Sequence, residues 1–177
     1  MAQKNLNDLL KDWRGTETEM QTLVKALPRI VGSEAVKSVK DNFRLQGYDS
    51  GTGVVKWKER SAATQSLYDK RVWVKGSVYS STRKLLEQTM ALFNGIKYDQ
   101  IGTGRVRIGV DINLVPYAQY MNEGVTDGSM GPHHIHTEIP PRQFMPRPGE
   151  PPNPKIMAAV EKKVIYERDK ALQTFKK

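Results

Sequence analysis

Apolar positions repeat with two periods along this chain, and the shift between them divides it. Helical spacing opens the sequence. Leu6, Leu9, Leu10 and Trp13 recur three and four residues apart, and Gly15 interrupts them. Thr16 and Glu19 then form a Thr-x-x-Glu pattern that predicts a second short helix, carrying Met20, Leu23, Val24 and Leu27 and ending at Pro28. Ser33 is placed as the N-cap of a third helix reaching about Leu45. Val36, Val39 and Phe43 share one face of it, and Gly47 is its stop. The Tyr48–Gly53 stretch, rich in glycine, reads as loop, followed by Trp57 and a short strand at Val72–Val74. Leu85, Leu86, Met90, Leu92 and Phe93 predict a helix over 82–93, ended by Asn94-Gly95.

The period then drops to two. Val106, Ile108 and Val110 alternate with Arg105, Arg107 and Gly109, so the apolar trio lies on one face of a strand. Tyr98–Ile101 runs out to Gly102-Thr103-Gly104 and the arginine strand returns, which predicts a β-hairpin. A short helix follows from Pro116 through Tyr117, Ala118 and Tyr120 to Gly124. His134–Ile139 is a possible strand, and Pro140–Pro154 is too rich in proline for a helix interior or a central strand. Ile156, Val160 and Val164 at steps of four, then Leu172 and Phe175, predict a final helix over 155–175. These elements imply an α+β fold: a small antiparallel β-sheet packed against helices, with extended loops and terminal helices. Three parts are expected, an N-terminal helical arm at 1–31, an α+β domain at 32–150 and a C-terminal helix at 151–177.

Composition changes this picture in two ways. Only 38% of the 177 residues are hydrophobic and the mean hydropathy is −0.59, so the core is modest and part of the apolar surface is expected to be buried by assembly. The formal net charge is +9, with a basic concentration between Lys56 and Lys84. Such a segment suits nucleic acid, an anionic membrane or an acidic partner, or simply a solvated surface. It interleaves Trp57, Tyr68, Trp73 and Tyr79 with its cations, which would allow single strands to bind by stacking plus phosphate contacts. The bland alternative makes the tryptophans packing anchors.

Candidate chemistry is sparse. The absence of cysteine removes disulfides, thiolate metal sites and cysteine nucleophiles. No apolar run approaches the roughly 18 residues of a membrane-spanning helix, and residues 1–7 lack the apolar centre of a signal peptide. The three histidines, His133, His134 and His136, cluster beside Glu138 and could present zinc ligands, or simply hydrogen-bond along a polar strand. Gly102-Thr103-Gly104 joins two strands and opens no helix, so it reads as a turn and not a phosphate cradle. No catalytic set emerges and no cofactor is implied; the expectation is a non-enzyme.

The order of elements resembles the phage virion morphogenesis and tail-completion family, which includes head–tail connector proteins of long-tailed phages. The resemblance runs from about Asn42 to Pro148. It begins at Asn42-Phe43-Arg44-Leu45-Gln46-Gly47, followed by a loop bearing Trp57. The family's Leu-x-x-Thr-Gly-x-Leu-x-x-Ser-Ile appears here as Leu86 to Ile96, with Met90 in place of the glycine and Gly95 in place of the serine. The hairpin comes next. Tyr117-Ala118 with Asn122-Glu123-Gly124 is similar to the family's Tyr-Ala-x-x-His/Asn-x-Gly, and Pro140-x-Arg142-x-Phe144 to its Pro-x-Arg-x-Phe.

The resemblance implies a structural virion protein, a homo-oligomeric ring of six subunits at the neck or tail end. Such a ring completes the tail or joins head to tail, in contact with portal or adaptor proteins and with tail-tube or tail-terminator proteins. It would be assembled in the host cytoplasm, with DNA passing nonspecifically through its lumen and no membrane involved. Candidates for the subunit interface or the lumen are Trp57, Arg60, Lys70, Arg71, Trp73, Lys75, Arg105, Arg107 and Arg142. The competing expectation is a nonspecific nucleic-acid-binding protein using residues 56–84.

Overall fold

A computed structural model describes residues 6–62, 65–66, 73–74, 77–78, 85–86, 90–102, 104–125, 139–147, 149–151 and 153–173. The fold is α+β. In chain order its elements are α1 (Leu6–Leu45), β1 (Gly47–Asp49), β2 (Val54–Lys56), β3 (Trp73–Val74), β4 (Ser77–Val78), α2 (Ala91–Gly95), β5 (Ile96–Gln100), β6 (Val106–Val110), α3 (Ala118–Glu123) and α4 (Pro154–Gln173). Among the described residues the strands form three two-stranded antiparallel sheets, β1–β2, β3–β4 and β5–β6.

Helix α1 is one continuous element of 40 residues where the sequence suggests three helices. Pro28 lies inside it, and so do Gly15 and Gly32. Pro28 offers no N–H to the Val24 carbonyl and would break an isolated helix. Its buried ring, and the packing of α1 against α4 and β5, outweigh that local cost. The expected caps are spent differently. Ser33 Oγ donates back to the Ile30 carbonyl at 3.0 Å, as a mid-helix serine does. Gly32 is required by its neighbour: a Cβ there would lie inside van der Waals contact with the Tyr98 ring on β5.

The β5–β6 hairpin forms as the alternation predicts. Ile96 pairs with Val110, Tyr98 with Ile108 and Gln100 with Val106, and Ile101 N donates to the Arg105 carbonyl at 2.9 Å. Its apolar face lies against α1. The β1–β2 hairpin has no counterpart in the sequence reading, where 48–53 is loop. Asp49 Oδ1 accepts the Gly51 N–H and Ser50 N donates to Gly53 O, closing a tight turn between strands of only three residues. Within the helix expected over 82–93, Leu86 and Met90 both sit at positive φ, 62° and 58°, and α2 begins only at Ala91; residues 82–84 and 87–89 lie outside the described residues. The Pro116 helix appears as α3, ended by Gly124, whose N–H donates to the Tyr120 carbonyl at 2.8 Å.

Of the strand expected over His134–Ile139 only Ile139 lies among the described residues, and the proline-rich segment follows it. Ile139 pairs with Val125. Pro140, Pro141 and Pro146 have no N–H to give a ladder, and side chains hold the segment instead. Asn122 Oδ1 accepts the N–H groups of Phe144 and Met145 at 2.9 and 3.1 Å. Asn42 Nδ2 donates to the Phe144 carbonyl at 2.8 Å, and Trp57 Nε1 to the Gln143 carbonyl at 2.7 Å. Arg142 N donates to the Met121 carbonyl.

These bonds surround the core. Val39, Phe43, Trp57, Leu92, Ile96, Val115, Ala118 and Phe144 are buried together. Phe43 is the hub, with its ring 5.4 Å from Trp57 at 84°, 5.6 Å from Phe93 at 87° and 5.4 Å from Phe144 at 51°. Edge-on and tilted pairs of this kind add about 0.5–1.5 kcal/mol each beyond area burial.

Candidate interaction surface

The cationic residues expected at an interface or lumen fall into two groups among the described residues. The first sits on the hairpin. Strand alternation turns Arg105 and Arg107 outward, and both are exposed beside exposed Lys97 and Asp99. Arg107 Nη2 reaches the Asp99 carboxylate at 3.8 Å, a cross-strand pair set by the Asp99–Arg107 register. At 69% and 73% side-chain exposure this pair is hydrated and weak, and the guanidinium remains available to an anion.

The second group gathers where β2 leaves the end of α1. Lys56 Nζ donates to the Leu45 carbonyl at 2.6 Å, capping the helix C-terminus with a cation. Arg142 Nε donates to the Lys58 carbonyl at 3.3 Å, so the proline-rich segment lies beside residues 57–60. Arg60 is half-buried and engaged.

Trp57 leaves the list of surface candidates. Its side chain is 6% exposed, its ring packs on Phe43 and its indole N–H is spent on Gln143. It is a packing anchor and offers no face to a base or a neighbouring subunit. Trp73 belongs to β3, while Lys70, Arg71 and Lys75 lie outside the described residues, as do Tyr68 and Tyr79. The histidine cluster His133, His134, His136 also lies outside them. Among the described residues no group of three or more His, Asp or Glu side chains is placed to hold a metal.

Two further features were not visible in the sequence. The first is apolar exposure: Ile112, Leu114 and Tyr117 lie exposed between β6 and α3, Tyr120 is exposed on α3, and Val54 and Val55 show on β2. The second is a joint at buried Asn153. Its amide donates to the Tyr48 hydroxyl and the Asp49 carbonyl, and its Oδ1 accepts the Lys155 and Ile156 N–H groups, capping α4. Beside it Lys155 Nζ meets Asp49 Oδ2 at 2.6 Å and holds that carboxyl below its ordinary value. Burial raises the Tyr48 hydroxyl. One asparagine before a Pro-Lys helix start was the only sequence signal for this joint, and it is weak.

Comparison of the chain with family models, with curated proteins and with solved structures finds no match. Among the described residues no helix is long and apolar enough to cross a membrane.

Proposed function

We propose that the chain is a structural protein of a tailed-phage virion, one subunit of a ring at the neck or tail end that completes the tail or joins it to the head. One observation carries this reading. The residues that give the sequence its resemblance come from distant stretches, yet they converge on one packed centre. Phe43 packs with Trp57, Leu92 and Ile96, and Asn42 donates to the Phe144 carbonyl. Ala118 shares the core with Phe144, Asn122 accepts the Phe144 N–H, the Met121 carbonyl accepts the Arg142 N–H, and Gly124 lies against the Ile139 carbonyl. Gly124 illustrates the fit. It sits at φ 79°, and a Cβ there would meet the Ile139 carbonyl and the Pro141 ring at 2.9 Å. Motifs that meet in space as the framework of one fold support a common architecture better than scattered similarities do.

The surface agrees with joining work. Exposed apolar residues on β2, α3 and α4 supply area for neighbouring copies. The exposed Arg105 and Arg107 suit passing DNA, since phosphate attraction needs no base reading. Binding of single strands by stacking is less well supported, because Trp57 is committed to the core.

The test is imaging of the purified full-length chain by electron microscopy, with its mass measured in solution. Closed rings of six are expected, alone or on added tail tubes. A protein that stays monomeric across micromolar concentrations and never joins tails would overturn the reading.

A further inference from the structure

The β5–β6 hairpin is a two-stranded sheet, so each of its strands has an outer edge. Which backbone groups face those edges follows from one bond. Ile101 N donates to the Arg105 carbonyl at 2.9 Å, so these two residues form a hydrogen-bonded pair. In an antiparallel ladder such pairs alternate with pairs that do not bond each other. In the observed register the next bonded pairs are therefore Asp99–Arg107 and Lys97–Gly109. Tyr98–Ile108 and Gln100–Val106 alternate with them, and the N–H and C=O groups of these four residues point away from the hairpin.

Among the described residues nothing receives those groups. No third strand lies along β5 or β6, and no main-chain hydrogen bond joins Tyr98, Gln100, Val106 or Ile108 to another element. Edges are commonly blunted by proline, a bulge or a cover. Here each strand runs five residues without proline and without a break in register. Val106 and Ile108 lie on the face toward α1 yet are only half-buried, as on a strand whose flank is open.

An open edge is completed by an extended strand, with the main chain supplying the bonds and side chains the choice of partner. On the outer face β5 carries Lys97 and Asp99, and β6 carries Arg105 and Arg107. Two copies of β6 laid edge to edge would bring their arginines together, which opposes pairing. Against β5 of another copy, in the register that the hairpin itself uses, β6 sets Arg107 opposite Asp99 and Gly109 opposite Lys97. Ile108 and Tyr98 then stay together on the apolar face. The lengths match too, five residues to five.

We propose that β6 of one copy pairs antiparallel with β5 of the next, so that a shared sheet joins neighbouring copies. The proposal rests on the reading that copies of this chain assemble. The two edges differ, so the contact is heterologous and each copy both gives and receives a strand. Contacts of this kind close a ring when the rotation permits.

The native chain has no cysteine, so introduced thiols report without background. In the shared ladder Gly109 faces the neighbour's Lys97 at a non-hydrogen-bonded position, where side chains come closest. A Cβ at Gly109 meets no atom of the described residues within 4 Å, and Lys97 is exposed. Full-length Gly109→Cys and Lys97→Cys chains are mixed, oxidised mildly and run on a non-reducing gel. The expected result is a disulfide-linked dimer at least tenfold more abundant in the mixture than in either variant alone. A Lys97→Cys homodimer as abundant as the mixed one would mean that β5 pairs with its own copy, and would overturn the proposal.

A companion pair of prolines uses the alternation. Val106→Pro removes an N–H that points outward, so it should melt within about 3 °C of the native chain and lower the assembled fraction tenfold or more. Arg107→Pro removes an N–H inside the hairpin's own ladder and should melt well below both. A Val106→Pro chain that assembles like the native one would overturn the contact. Rings that form without the mixed dimer would overturn it as well, while leaving the ring reading intact. A mixed dimer in open chains that never close would keep the contact and remove the ring. Monomers throughout would overturn both.

Discussion

The aromatic core and the α1–α4 pair are built to different degrees of completion. Around Phe43 the side chains Val39, Leu92, Ile96, Val115 and Phe144 are each no more than 2% exposed, and asparagines satisfy the backbone that has no strand partner. Helix α4 has 20 residues and none of those described is buried. Ile156, Val160 and Val164 on it are half-buried, while Met157, Ile165, Tyr166 and Leu172 are exposed. The first region is finished within one chain. The second leaves large apolar side chains of α4 in water.

That contrast is most directly broken by truncation in the two regions. Phe144→Ala opens a cavity in a region that cannot collapse and should cost about 3–5 kcal/mol. Val164→Ala removes two methyl groups at a half-wet interface and should cost about 1 kcal/mol or less. Urea titrations of the full chain, monitored by the fluorescence of buried Trp57, measure both. Equal losses would mean that the helical pair is as complete as the core.

Gly32 sharpens the comparison through a change of sign. On an exposed helix, Gly→Ala stabilises by about 1 kcal/mol. At position 32 the Tyr98 ring occupies the place of the methyl group. Gly32→Ala should therefore destabilise, by about 1–3 kcal/mol from overpacking. Gly15, in the exposed part of the same helix, should respond in the opposite direction to the same change. If both substitutions stabilise, α1 is not seated on β5 as described.

The joint between the two regions responds to pH. Lys155 lowers the Asp49 carboxyl below its ordinary value in the fold. A depressed carboxyl stabilises above its unfolded pKa of roughly 3.9, and the contribution fades as pH falls through the lower, folded value. Stability should thus decline on acidification below about pH 4, and Asp49→Asn should remove that part of the slope at a cost of about 1 kcal/mol near neutrality. Melting temperatures of the two proteins between pH 2 and 7 give the answer. Parallel curves would remove the ion pair from the account.

Legibility in the sequence followed a different division, between local signals and tertiary ones. The β5–β6 hairpin, α3 and α4 could be read because alternation, a Pro start and a four-residue step are local signals. The unity of α1 could not, because Pro28 and the two glycines are breakers by every local rule and only tertiary packing overrides them. The β1–β2 hairpin is three residues a side, and the turn residues of 50–53 mask it. Of the surface candidates, the exposed Arg105 and Arg107 followed from strand alternation. Trp57 was misplaced because an aromatic among cations looks alike whether it faces a base or Phe43. Asn122 and Asn42 could be singled out as motif letters, but their clamp on Phe144 depends on a fold that brings residues 42, 122 and 144 together.

The smallest expected effect bears on the resemblance itself. Met90 has φ 58°, in the left-handed region where a side chain costs about 1–2 kcal/mol. It occupies the position where the family pattern has glycine, the residue that adopts this conformation freely. Met90→Gly should recover the strain and lose about 0.4–1 kcal/mol through the freer unfolded chain, a net gain of roughly 0.5 kcal/mol. Met90→Ala keeps the Cβ and so keeps the strain, and it should gain nothing. The difference between these variants, measured as denaturation midpoints, isolates the backbone from the loss of the side chain. A glycine variant no more stable than the alanine variant would mean that position 90 is not held left-handed. The match between family glycine and local conformation would then be coincidence.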